Sequence, residues 1–377
     1  MSTPISEQFG FAHDCLYRLI APAAEVRGAL VLVPPAAEEK KAAHRALVEA
    51  TRAWAAAGWD CLHLDLRGTG DSAGDHAAAG WQTWLDDVAA ALAFQRARYP
   101  DLPLTLVGLR LGATLAAAAT TAAPVDHLVL LEPFTDGPAY LRQCRQRSAL
   151  RAQLTAEEGE ADAAPAPSAP APGAPAADTA AGFDFDGFAY SAELVGPLAS
   201  VDLLASPPSA PRVTILQVSG SSRLRRPLSQ LQAASQAAGA EVTLANVAVE
   251  AFWAAIGLVD TAPVTAAVSA ELRPAAAAQP PAPATLAPSL DLPGGARAEV
   301  RDFVSGEQRV WGVLYHPAGP PRGAALLLHG WSGYRLGPGA LLRNAAPGTD
   351  GHLLGLDAQG RDTGGIAECV GAKRAAG

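Results

Sequence analysis

The stretch Gly108-Leu109-Arg110-Leu111-Gly112 follows an apolar run, Leu104-Thr105-Leu106-Val107, and precedes a small-residue segment, Ala113 to Thr121. A strand that turns at a glycine-flanked residue straight into a helix leaves few folds open. The central residue must take a strained turn while neighbouring backbones pass close by, and glycines permit that approach. Such a turn presents one side chain at the carboxyl end of a parallel sheet. Where the turn carries nucleophilic chemistry, that residue is Ser, Cys or Asp. Here it is Arg110, a guanidinium that stays protonated and has no lone pair to offer a carbonyl carbon.

The rest of the chain alternates in the way that turn requires. Ala29-Leu30-Val31-Leu32-Val33 reads as a buried parallel strand ending at Pro34-Pro35. Helical periodicity runs from about Lys40 to Ala57, with Gly58 as its stop. A second strand, Asp60 to Asp65, leads into Arg67-Gly68-Thr69-Gly70-Asp71-Ser72-Ala73-Gly74. A helix from about Gly80 to Tyr99 places Trp81, Trp84, Leu85, Val88 and Leu92 on one stripe. After the glycine-flanked turn comes His127 to Leu131, ending in Glu132-Pro133, and the sheet resumes at Val213 to Val218. A helix from Pro227 to Ala238 and a strand from Glu241 to Val247 follow. This order predicts an α/β fold with a doubly wound, mostly parallel sheet.

Two stretches interrupt the alternation. A polar helix from about Arg142 to Glu160 runs into an Ala/Pro-rich tract over 161–181, within an insertion spanning about 142–196. A second Ala/Pro-rich stretch, 262–293, is the linker candidate. The expected organisation is a first domain over 1–261, that linker, and a partial second unit over 294–377. In the second unit Val310 to Tyr315, Ala324 to Leu328 and Leu353 to Asp357 read as strands, with His329-Gly330-Trp331-Ser332-Gly333 after the second. Leu64-Asp65 with Gly70-Asp71-Ser72, set beside Leu356-Asp357 with Gly360-Arg361-Asp362, reads as a truncated internal repeat.

The 377-residue chain has a net charge of -9, so it offers no overall basic character for nucleic acid or anionic lipid. No run of about 18 uncharged apolar residues exists, so no membrane span is expected. The polar start, Met1 to Gly10, does not read as a signal peptide. Cys15, Cys61, Cys144 and Cys369 lack metal-like spacing and read as buried and reduced. A cytoplasmic location is expected, with no cofactor and no metal.

The turn, the loop after the second strand and the resumed sheet have the layout of an α/β-hydrolase fold, with its nucleophile elbow at Arg110 and the first insertion in the cap position. Four stretches carry a closer resemblance: Gly70-Asp71-Ser72-Ala73-Gly74, Gly108-Leu109-Arg110-Leu111-Gly112-Ala113, Gly187-Phe188-Ala189-Tyr190-Ser191-Ala192-Glu193-Leu194, and Ala251-Phe252-Trp253 with Ile256. By these, residues of about 20 to 265 resemble the exosortase A system-associated hydrolase 2 family of the α/β-hydrolase superfamily. The resemblance implies that arginine at the elbow is a family feature. It also implies a hydrolase label of the ester or acyl class, and an association with exosortase/PEP-CTERM sorting or exopolysaccharide machinery in Gram-negative bacteria. The stretch beginning at His329 looks like the start of a different α/β-hydrolase.

The residues themselves do not assemble a triad, which needs a nucleophile, an acid and a histidine in that chain order. Arg110 occupies the nucleophile position. The acid position, Ser219-Gly220-Ser221-Ser222-Arg223, has no carboxylate, leaving Glu132 as a substitute. Asn246 to Gly257, where the base belongs, has no histidine; Phe252-Trp253 either floors a pocket there or fills the space. His127 precedes its strand. Oxyanion or anion-site candidates are the backbone N–H groups of Leu111 and Ala36, Arg110 itself, and His329-Gly330; prolines 34 and 35 weaken the second donor loop. Arg110 either pairs with a local acid such as Glu132, the preferred reading, or binds an anionic ligand at a helix N-terminus. Asp65, Asp71 and Ser72 read as a structural turn that caps the next helix, and Trp81 and Trp84 as core. Two functional readings follow: a hydrolase with a degenerate site acting on an unidentified small or acyl substrate, or a non-catalytic binding or scaffold protein using the elbow pocket for an anion.

Overall fold

The computed structural model describes residues 4–157, 182–185, 188–255, 257–305, 308–327 and 352–357. The 161–181 tract, Ile256, His329, Gly330 and Cys369 lie outside them, as do the segments expected after residues 330 and 366.

The chain opens with a hairpin to which sequence patterning assigned no element. Strands β1 (Ile5–Ala12) and β2 (Cys15–Pro22) pair antiparallel. His13 and Asp14 join them at φ of 52° and 63°, the doubly left-handed geometry that matches strand twist in a two-residue turn. Then come β3 (Gly28–Val33), α1 (Ala37–Ala56), β4 (Trp59–Leu64), α2 (Trp81–Arg98), β5 (Leu104–Leu109), α3 (Leu111–Ala119) and β6 (His127–Leu131). Between β6 and β9 (Arg212–Val218) lie α4 (Gly137–Glu157), the short pair β7 (Phe183–Phe185) and β8 (Phe188–Tyr190), and α5 (Ala192–Ala199). Helix α6 (Arg226–Ala237) and strand β10 (Glu241–Val247) complete the first sheet.

Its order is β1-β2-β4-β3-β5-β6-β9-β10, parallel from β4 through β10. Strands β3, β4 and β5 are buried along their whole length, as an apolar run covered on both faces must be. Alternation divides them between two cores. Val31 and Val33 pack with Trp84, Val88 and Leu115 of α2 and α3, while Leu30 and Leu32 pack with Leu47 and Trp54 of α1.

The Ala/Pro-rich stretch 262–293 does not run free of the first sheet. Its beginning is helix α7 (Ala262–Glu271), whose Val264 and Val268 are buried with Leu47 and Trp54 in the second core. Proline sits in its first turn, where a missing N–H costs nothing, and alanine favours the helix beyond it. Past α7 the backbone bridges Val26 through Ala278 and Phe11 through Ala287. Gln8 also donates to the Ala284 carbonyl at 2.7 Å. The strip thereby lies along the hairpin edge.

A second sheet follows, of order β11-β12-β13-β15-β14, from β11 (Ser289–Asp291), β12 (Arg297–Ser305), β13 (Gln308–His316), β14 (Ala324–Leu327) and β15 (His352–Asp357). Its last four strands have the order and sense of β1-β2-β4-β3: two antiparallel pairings, then a parallel one. The sheet packs on the first through Ala298, Val313 and Tyr315 against Phe11 and Leu16, and through Trp311, 4.5 Å from the Phe9 ring.

Candidate functional site

Strand β5 delivers Arg110 at φ 58°, ψ −122°, a region that costs a non-glycine residue about 1–3 kcal/mol and persists only where the surroundings impose it. They do. A Cβ on Gly108 would lie 2.5 Å from Ala113 Cα, and one on Gly112 would lie 2.2 Å from the Pro34 carbonyl. The strained elbow is thus built in full around a side chain that cannot attack. Its neighbour β6 ends the same way, at Glu132 with φ 52°.

Arg110 is buried, and its partner is Glu39 rather than Glu132. Nε donates to Glu39 Oε2 at 3.2 Å, and Nη2 to Glu39 Oε1 at 3.1 Å, a bidentate fork. Nη2 also donates to Gln143 Oε1 at 3.1 Å. The guanidinium lies 4.3 Å from the centre of the Phe134 ring and 5.1 Å from that of Trp253. Glu39 stands in the first turn of α1, directly after the Pro34-Pro35 loop, where a carboxylate also favours the helix dipole. Glu132 is unavailable because it has other work. It accepts from the Val218 N–H at 2.6 Å and pairs with Arg225.

Helix α4 closes the other side. Arg147 Nη1 stands 3.4 Å from Glu39 Oε1. Tyr140 and Tyr190 share a hydrogen bond of 2.8 Å between hydroxyls. Burial pushes the Cys144 thiol up to about 12, the nearby Glu39 adding to the shift against a hydrogen bond from Tyr140. A thiol held protonated in this way is no nucleophile.

The remaining candidates fall as follows. Leu111 is the first residue of α3, so its N–H has no acceptor within the helix. Ala36 is the N-cap residue of α1, followed by Ala37 at φ 53°. Trp253 fills the base position by lying over Arg110, with Phe252 at 5.1 Å from it. His127 pairs in register with Thr105 at the start of β5, four residues and roughly 13 Å from the elbow end. Its Nε2 meets Thr214 Oγ1 at 2.9 Å, and burial, helped by Arg212 and Arg273, pushes its pKa down to about 3.

The Asp65–Ser72 turn is structural. Ser72 Oγ donates to the Asp65 carbonyl and accepts from Leu16 N–H. Lys40 meets Asp65 Oδ1 at 2.6 Å, and Asp71 Oδ1 accepts from the Tyr315 hydroxyl at 2.7 Å. The residue that caps the following short helix is Asp75, not one of these three. Trp81 and Trp84 are core, as their spacing indicates. Cys15, Cys61 and Cys144 are buried and free. Among the described residues no cluster of His, Cys, Asp or Glu could hold a metal ion, and no helix is long and apolar enough to cross a membrane.

Glu39, Gln143, Arg145 and Arg147 were not singled out from sequence. Glu39 lies just before the helix that the periodicity places from about Lys40, and nothing local ties it to a turn about 70 residues later.

Strand order, crossover pattern and strained elbow together define the α/β-hydrolase fold. The family described as serine aminopeptidase, S33, matches residues 24–160, from the approach to β3 through α4. Among solved structures the chain is similar to DcsB in complex with its substrate analogue, at 15% identity and TM-score 0.46, covering 71% of this chain and 97% of that one. It is similar to Est1E from Butyrivibrio proteoclasticus with bound ferulic acid, at 13% identity and TM-score 0.42, covering 70% and 97%. A soluble variant of monoglyceride lipase from Saccharomyces cerevisiae, bound to a substrate analogue, aligns at 12% identity and TM-score 0.41, covering 65% and 87%. No curated protein matches the sequence.

Proposed function

We propose that this chain is a non-hydrolytic protein on an α/β-hydrolase fold, binding an acidic group of a ligand or partner at the elbow end of the sheet. The observation that carries the reading is the Glu39–Arg110 fork on the strained elbow. The position that would hold a nucleophile holds a cation, and a carboxylate is already seated on it. Trp253 takes the base position, and Ser219 to Arg223 supply no acid. Triad groups act as a unit, so their joint loss removes most of the rate enhancement they give. The association with exosortase/PEP-CTERM sorting or exopolysaccharide machinery is part of the same proposal, and rests on the four stretches that resemble the exosortase A system-associated hydrolase 2 family.

The test is an assay of purified protein on a panel of short-chain p-nitrophenyl esters, with Arg110→Ser alongside. Both proteins should hydrolyse at the buffer rate, the variant because a lone serine there still lacks its base and acid. Wild-type turnover above buffer that is lost in Arg110→Ala would overturn the reading and restore ester hydrolysis.

A further inference from the structure

We propose that helix α4 and strand β7 form an arginine array that recognises a ligand carrying at least two acidic groups, carboxylate or phosphate; this names the ligand class of the non-hydrolytic reading and rests on it. Arg145 lies 5.0 Å from the centre of the Phe183 ring, and Arg147 lies 5.0 Å from that of Phe185. Arg110 lies on Phe134 and Trp253. At the elbow end, then, each of three guanidiniums rests on an aromatic face. Stacking satisfies the flat face of a guanidinium and leaves its N–H edge for a planar or tetrahedral oxyanion. The buried member of the set shows that edge in use, with both Glu39 oxygens on Arg110.

The outer members are placed to take an acid from outside. Arg145 makes no hydrogen bond or ion pair among the described residues, and neither does Arg142, which is exposed one turn earlier. The first sixteen residues of α4 include Arg142, Arg145 and Arg147 and contain no acid, in a chain of net charge -9. Local charge of this sign over the carboxyl ends of a parallel sheet draws anions to the place where such sheets bind ligands. A single acidic group would meet one fork. Two or more, spaced along a small ligand, span Arg142 and Arg145 on the outside and reach toward Arg147.

The rings matter as much as the charge, and this separates the array from a merely basic surface. Phe183 and Phe185 alternate onto one face of β7, and both pack against Tyr190, at 5.4 and 5.9 Å. Arginines already stacked on these rings lose less freedom on binding than free side chains would.

Titration calorimetry at low salt decides it, with tripolyphosphate and tri-galacturonate as the two probes, against wild type, Arg142→Ala/Arg145→Ala and Arg145→Lys. At least one probe should bind wild type. The double alanine variant should lose tenfold or more in affinity at an unchanged melting temperature, since both side chains reach solvent. Arg145→Lys keeps the charge but not the stacked fork, and should fall several-fold. The probe that binds tells phosphate from carboxylate recognition. Absence of binding to wild type, or unaltered affinity in the double variant, overturns the array. Full affinity in Arg145→Lys overturns stacked recognition. These failures leave the non-hydrolytic reading standing, because that reading falls only if esters are turned over.

Discussion

Of the buried arginine–carboxylate pairs, two lie at opposite ends of the first sheet, and they differ in what surrounds them. At the amino end, Asp60 receives both Nη atoms of Arg98, at 3.0 and 2.9 Å, the Gln95 amide at 3.0 Å and the Tyr99 hydroxyl. Every lone pair is occupied, and the effect is to fasten the end of α2 to the base of β4. At the carboxyl end, Glu39 holds Arg110 from a strained backbone, between aromatic rings, with Gln143 and Arg147 reaching in from α4. The first pair is saturated and joins adjacent elements. The second joins elements that meet only where this fold places ligands. Similar chemistry thus serves as a rivet in one place and, under the proposed function, as a recognition element in the other.

The contrast is broken most directly by Asp60→Asn. Losing one partner of a saturated buried pair strands the Arg98 charge and should cost ~3–5 kcal/mol in denaturant unfolding. Glu39→Gln should cost less, about 2 kcal/mol, because the residue is linked to fewer groups. If Glu39→Gln proves the more damaging, the elbow pair is the structural one and the comparison is inverted.

His127 sharpens the picture by pH. Its folded pKa, about 3, lies below its ordinary value, so between the two the unfolded chain binds the extra proton. Stability should therefore be intact above about pH 6.5 and fall as pH drops below it, with a slope approaching about 1.4 kcal/mol per pH unit. His127→Gln should flatten that acid limb in urea melts taken between pH 7 and 4. An equally steep limb in the variant would assign the acid sensitivity to the carboxylates instead. The smallest effect is expected at the contact between the two sheets. Tyr315→Phe removes a hydrogen bond to Asp71 and should cost about 1 kcal/mol, read as a lowered melting temperature. No change there would mean that the apolar contact of Trp311 and Val313 suffices to hold the second sheet.

What could be read from sequence divides along the same line. Parallel strands buried on both faces announce themselves as apolar runs, so β3, β5, β6 and β9 were legible to within a residue or two. The elbow was legible because its glycines answer to steric demands a few residues away. Arg110's true partner was not, because a hydrogen bond between residues 39 and 110 leaves no periodic trace, and Glu132 was the acid that the sequence places at the end of the next strand. The β1–β2 hairpin was missed because its turn, His13-Asp14, lacks the usual glycine. Helix α7 was missed for a different reason. Alanine with proline reads as low complexity until a neighbouring core gives Val264 and Val268 somewhere to go.

The strip along the hairpin has a consequence for the protein as a material. An eight-stranded sheet that ended bare at β1 would offer its row of amides and carbonyls to any extended chain, including another copy of itself. The strip meets that edge at Ala287 and is studded with Pro280, Pro281, Pro283 and Pro288. Prolines have no N–H to pass on, so the strip covers the edge without becoming a new template. Low-complexity sequence here takes the place at which a further strand would otherwise add to the sheet.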